Sequence, residues 1–148
     1  MIRFETSKIS DIETLSSMMK DFYAIDNYPI SIEKSKVLLN EFIENENLGK
    51  SYLIYKEEKI AGYFIITYVF SFEYGGRIAF LDELYIKSEF RNQGIGNDAI
   101  EFLKTKTKAL NINLIYLEIE NHNEKAQNLY LKHNFEMHNR KLMKLKTL

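Results

Sequence analysis

Apolar residues in this chain recur with two periods, about 3.6 and 2, and the order in which the periods alternate predicts a fold class. Ile2 to Glu5 reads as a short opening strand. Ser10 and Glu13 have capping-box spacing, and Ile12, Leu15, Met19 and Phe22 then recur as on one face of a helix that should stop before Asn27-Tyr28-Pro29. A second helix is expected after Ser31, with Val37, Leu38 and Phe42 on its buried side. Ser51 to Lys56 and Ile60 to Phe72 read as strands joined by a tight turn at Glu57-Glu58-Lys59, and Tyr, Ile, Val and Phe dominate both. Glu73-Tyr74-Gly75-Gly76 turns the chain into a third long strand, Ile78 to Lys87. There follow a helix over Asn97 to Lys108 with Ile100, Leu103 and, just beyond it, Leu110 on its apolar side, a strand over Ile112 to Ile119, a helix over Glu124 to His133, and closing strand material from Phe135 to Leu145. Antiparallel hairpins followed by strand–helix–strand–helix–strand imply an α/β (α+β) domain with a mixed, mostly antiparallel sheet and helices on both faces. No linker, repeat or low-complexity segment interrupts residues 1–148, so one domain is expected.

Composition narrows the function classes. At 148 residues the chain is long enough for a real core, and its 45% apolar and 28% charged content is that of a globular protein. A net charge of −1 argues against a nucleic-acid partner; Lys132, Arg140, Lys141, Lys144 and Lys146 suit a solvated strand face. With no cysteine there is no disulfide, thiolate metal site or cysteine nucleophile. His122, His133 and His138 lack metal-ligand spacing, so no metal is expected. The apolar run Ile60 to Phe72 is shorter than the roughly 20 residues of a spanning helix, and no signal pattern opens the chain. A cytoplasmic protein without membrane attachment is the expectation.

The most informative stretch is Arg91-Asn92-Gln93-Gly94-Ile95-Gly96, between the third long strand and the next helix. A strand passing into a helix through glycines exposes unpaired N–H groups at a helix N-terminus, where they and the helix dipole suit a phosphate or pyrophosphate. Arg91 adds a positive charge. The P-loop spacing is absent. Gly94-Ile95-Gly96-Asn97-Asp98-Ala99 fits a loose dinucleotide fingerprint, with Glu118 or Glu120 as the distal acid, but it follows an antiparallel meander and precedes too little strand–helix repeat for a doubly wound sheet. A bare turn without a ligand is the plainest alternative.

Arg91-x-x-Gly94-x-Gly96 after Leu84-Tyr85-Ile86, and Asn123-x-x-Ala126-x-x-Leu129-Tyr130-x-Lys132-x-x-Phe135 further on, resemble in order and spacing the acetyl-CoA motif and the closing motif of the GNAT superfamily of N-acetyltransferases. The order of elements over the whole chain is similar to the acyl-CoA N-acyltransferase fold. Asn92 and Asn134 stand where the family often has glycine, and asparagine is the next best residue in the left-handed region. The resemblance implies acetyl-CoA as acetyl donor, with the strand backbone around Leu84, Tyr85 and Ile86 taking the pantetheine arm by β-augmentation. Arg91, Asn92, Gln93, Gly94, Ile95 and Gly96 would then face the pyrophosphate. Asn123 would bond the arm from the other side, although a helix N-cap before Glu124 is an equally good reading.

The same resemblance makes Tyr130 the general acid for the leaving thiolate. The adjacent acids Asp82 and Glu83 resemble the diamine and polyamine acetyltransferase branch, which would make Asp82 the base and Glu83 an anchor for a cationic substrate. Strand alternation sends the two to opposite faces unless a bulge intervenes, and a buried carboxylate needs a partner or a wet cavity. Tyr23, Asp26 and Tyr28 would form the wall for the acceptor, since aromatics with an acid suit an amine cation. The expected activity is acetyl transfer to a small, cationic primary amine by direct attack in a ternary complex. A non-catalytic acyl-CoA-binding module and a protein or peptide N-acetyltransferase are the alternatives, and family habit makes a homodimer the expected assembly.

Overall fold

The computed structural model describes residues 1–148. Contacts divide the chain into two compact units, Met1–Glu118 and Ile119–Leu148. The first holds a five-stranded sheet in the order β1 (Ile2–Thr6), β2 (Gly49–Lys56), β3 (Lys59–Ser71), β4 (Gly76–Ile86) and β5 (Ile115–Tyr116), antiparallel throughout except for the parallel β4–β5 pair. This is the mixed, mostly antiparallel sheet that the apolar periods predict. Helices α1 (Ile12–Ile25) and α2 (Ile32–Glu44) precede β2, and α3 (Ile95–Lys106) follows β4.

Alternation along the strands sends side chains to two cores. Leu53, Tyr63, Ile65 and Tyr85 pack with Leu15, Met18 and Met19 of α1 and Leu39 of α2. Their strand neighbours Tyr52 and Phe64 meet Phe102 of α3, which also stacks on Phe4 at 4.4 Å between ring centroids. The helices therefore cover both faces of the sheet. Gly62 on β3 leaves no room for a side chain against β4: a Cβ there would lie 2.0 Å from the carbonyl oxygen of Tyr85.

Four expectations need correction. The start of α1 is not capped by Ser10 and Glu13; a 3-10 turn over Ile9–Asp11 precedes the helix, and the Asp11 carboxylate accepts the Lys8 N–H at 2.7 Å. In α2 the buried position is Leu39, with Phe42 and Ile43 partly buried, while Val37 is 68% and Leu38 52% exposed. Ile32, Leu39, Phe42 and Ile43 form an i, i+7, i+10, i+11 stripe, and docking on the sheet selected that helical phase over the adjacent one. The strand expected over Ile112 to Ile119 shrinks to Ile115–Tyr116. In the second unit the expected helix forms as α4 (Glu124–Lys132), but residues 135–145 form no strand and Met137, Leu142, Met143 and Leu145 are exposed. An apolar alternation becomes a strand only when a neighbouring edge takes its backbone bonds.

Candidate active site

The glycine loop turns into α3 at Gly94, which has φ 78° and is the N-cap of the helix. The first helical bond runs from the Asp98 N–H to the Gly94 carbonyl, so the N–H groups of Ile95, Gly96 and Asn97 precede the ladder and lack helical acceptors. A Cβ added at Gly94 would meet no atom within 4 Å. An open space in front of helix-terminal donors is what a pyrophosphate needs. Asn92, at φ 62°, occupies the left-handed region that its glycine-like position requires. Ile95 is buried under the turn and anchors it.

Two side chains of the loop are tied back to the scaffold. Arg91 donates from Nε to the Ile86 carbonyl at 2.9 Å, with its guanidinium 5.7 Å from the centroid of the Tyr85 ring. Gln93 accepts from Lys56 Nζ and donates to the Glu89 carbonyl at 3.3 Å. These bonds fix the loop on β4 and β2.

β4 leads into this loop with one edge free. β5 pairs with it only at Ala79 and Phe80. The Lys87 N–H bonds the Ala61 carbonyl on β3 at 2.8 Å, so alternation sends the backbone groups of Ile86 and Leu84 to the opposite edge. The Ile86 carbonyl there is taken by Arg91 Nε, so the Leu84 backbone groups and the Ile86 N–H are left, beside the open cradle at Gly94, to receive an extended ligand that adds to the strand. Tyr85 itself points into the core beside α1.

The acidic pair lies on a bulge. Ile65 faces Glu83 while the next residue, Ile66, faces Leu81, which leaves Asp82 as the extra residue of β4. Glu83 is 8% exposed, and both of its carboxylate oxygens accept hydrogen bonds: Oε2 from the Tyr23 hydroxyl at 2.6 Å and Oε1 from the Tyr63 hydroxyl at 2.7 Å. Burial raises the Glu83 pKa above the ordinary carboxylate range; the two phenols oppose the shift, and the charge of Asp82 adds to it. Asp82 keeps an exposed side chain. Its pKa is also raised, first by desolvation from the chain around it and then by the charge of Glu118. Asp82 and Glu83 thus differ in kind: one is a held, buried carboxylate, the other an exposed one.

Of the residues expected around the acceptor, Tyr23 meets Glu83, whereas Asp26 caps the end of α1 and Tyr28 is mostly exposed in the following loop. Tyr63 is a partner that the sequence did not single out. Its only signal was a tyrosine in the centre of an apolar strand, which has meaning only once the register with Glu83 is known. A groove of about 740 Å³, equally unforeseen, opens between α1 and the end of β4, lined by Ser17, Met18, Asp21, Tyr85, Lys87 and Glu89 among others.

In the second unit, the Asn123 side chain accepts the Ala126 N–H at 3.0 Å and caps α4, so the capping reading holds for this residue. Tyr130 packs edge-on against Phe135, with ring centroids 5.5 Å apart. Burial pushes its phenol up to about 12, so the hydroxyl stays protonated at neutral pH. The chain turns back beyond α4 through Asn134 at φ 70°, again an asparagine in a glycine-like role.

Residues 13–135 match the acetyltransferase (GNAT) family, most of the chain and both of its motifs. The chain belongs to the acetyltransferase (GNAT) family. As a GNAT protein it is an N-acetyltransferase that uses acetyl-CoA as donor. Solved structures agree on the fold. An integron cassette protein from the mobile metagenome of Cole Harbour Salt Marsh superposes with a TM-score of 0.88 at 23% identity, over 98% of this chain and 90% of that one. A "possible acetyltransferase" from Clostridium difficile 630 reaches 0.89 at 17% identity, over 99% and 98%. A "predicted acetyltransferase with acetyl-CoA" from Clostridium acetobutylicum reaches 0.81 at 18% identity, over 98% and 96%. Among curated proteins, none gives a significant match. No helix is long and apolar enough to cross a membrane.

Proposed function

We propose that this GNAT acetyltransferase transfers acetyl to a small, cationic primary amine by direct attack in a ternary complex. The observation that carries the reading is the Glu83 carboxylate, buried on the strand that runs into the glycine loop and held there by two phenols. Bound acetyl-CoA supplies an acetyl group activated as a thioester. The free edge of β4 at Leu84 and Ile86 and the N–H groups of Ile95 and Gly96 would hold it, with Arg91, Asn92 and Gln93 shaping the turn.

An alkyl amine with a pKa near 10.4 is neutral only about once in a few thousand at pH 7, so a base must take its proton. We assign the two acids the reverse of their expected roles. Glu83, fixed in orientation and raised in proton affinity, suits the base, reaching the amine directly or through one water. Asp82, exposed and close enough to Glu118 to feel its charge, suits attraction of a cation. Tyr23 is shared between the base and the acceptor wall, and Asp26 and Tyr28 extend that wall. Asp21 and Glu89 give the adjoining groove further acidic lining, which favours cationic acceptors. By the family resemblance, Tyr130 Oη, protonated at neutral pH, would donate to the departing thiolate, and Asn123, besides capping α4, would steady the arm.

The test is calorimetric titration with acetyl-CoA followed by thiol release over a panel of polyamines, amino acids, aminoglycosides and lysine peptides. Turnover of a small polyamine with saturable acetyl-CoA binding is the expected result. Binding without thiol release from any acceptor would leave an acyl-CoA-binding module, and release with peptides alone would make it a protein acetyltransferase.

A further inference from the structure

The geometry points to Tyr63 and Tyr23 as positioning residues that keep the Glu83 carboxylate ionised and fixed in one orientation. This rests on the proposed reaction only for the use made of Glu83, since the clamp exists whatever the acceptor is.

The two donors come from different layers. Tyr63 stands on β3, opposite Tyr85 in the register, and is fully buried; its ring packs against Phe22 and Tyr85. Tyr23 comes from the last turns of α1. One phenol binds each oxygen, so sheet and helix together fix both the position and the rotation of the carboxylate. Bonds from O–H to an ionised oxygen are short and about twice as strong as neutral ones. No lysine or arginine makes a salt bridge with Glu83. The groups that act on it are Tyr23 from α1, Tyr63 from β3 and Asp82 from β4, so the phenols alone favour its charged form. Burial and the nearby Glu83 charge hold both phenols well above the usual tyrosine range, so they remain donors wherever the enzyme works. A carboxylate buried without donors would take up a proton and stop acting as a base.

The experiment is a ¹³C NMR titration of the Glu83 carboxyl in the substrate-free protein, assigned by the signal that disappears in Glu83→Gln. Tyr63→Phe and Tyr23→Phe each remove one hydroxyl and keep the ring. The expected result is an upward move of the carboxyl midpoint in both, because burial and Asp82 are then less opposed. An unmoved or lowered midpoint in both overturns the inference. Should Tyr63→Phe disturb the core, as a melting curve would reveal, Tyr23→Phe, on the half-buried partner, decides alone.

A second readout uses whichever amine turns over. The acidic limb of kcat/KM should shift to higher pH, so that the loss relative to wild type grows by about threefold or more below the midpoint. A uniform loss at all pH values with an unmoved midpoint is a packing effect and overturns the assignment. A moved carboxyl midpoint with an unmoved limb upholds the clamp and removes Glu83 as base, which would sink the proposed mechanism instead.

Discussion

The 91–96 loop is made of backbone and faces open space, whereas the Glu83 clamp is made of side chains and is buried. At Gly94 nothing lies within 4 Å of a built Cβ, and the functional groups are amides that any sequence would carry. At Glu83, one carboxylate and two phenols from three elements must meet within 2.7 Å. The loop needs only local conformation, which glycine and asparagine provide. The clamp needs register, a bulge and helix docking to be right together. A phosphate-binding cradle can therefore be specified by a few consecutive residues, while a tuned acid has to be assembled.

Substitutions can break this contrast, the largest effect coming first. Glu83→Gln should lower turnover by about 10²- to 10⁴-fold with acetyl-CoA affinity kept, as measured by initial rates beside calorimetry. Asp82→Asn should cost far less, and the reverse ranking would return the base to Asp82. Gly94→Val should weaken acetyl-CoA binding by roughly 100-fold, because it forces a β-branched residue into the left-handed region and fills the open space. Unchanged calorimetric affinity would remove this loop as the cradle. Tyr130→Phe should reduce kcat by about 10²-fold and leave acetyl-CoA affinity alone; equal activity would remove it as the acid.

Gly62→Ala sharpens the comparison from the side of packing. Its Cβ would fall 2.0 Å from the Tyr85 carbonyl oxygen, so urea unfolding should show a loss of about 1–3 kcal/mol. The smallest effect concerns pH. Glu83 holds its proton more tightly when folded than when unfolded, so the native state binds more protons and this group's contribution to stability declines as pH rises through its folded midpoint. Relative to Glu83→Gln, the wild type should lose stability over that interval. A difference independent of pH would show that the folded and unfolded carboxyls titrate alike.

Much of the candidate site was legible before folding. Arg91, Gly94 and Gly96 stood out because few residue types permit a tight, open helix entry, and Asp82-Glu83 stood out because acids are rare in an apolar strand. Tyr63 and the groove beside α1 were not legible. A tyrosine in a strand of aromatic and β-branched residues looks like core until the strand opposite is aligned with it. Val37 and Leu38 misled for a related reason: Val37, Leu38 and Leu39 are consecutive apolar residues, and helical periodicity alone does not say which of them faces the sheet.

By itself, then, the sequence determined the element order, the mixed sheet and the position of the glycine loop, because those depend on short-range periodicity and on backbone freedom. The tertiary structure decided which acid is held and by what, which face of α2 is buried, and that residues 135–145 form no strand. The physical reason is that hydrogen-bond partners and burial are fixed by contacts between residues far apart in the chain. Tyr23 and Glu83 lie 60 positions apart in the chain, and no local signal says that their oxygens will meet.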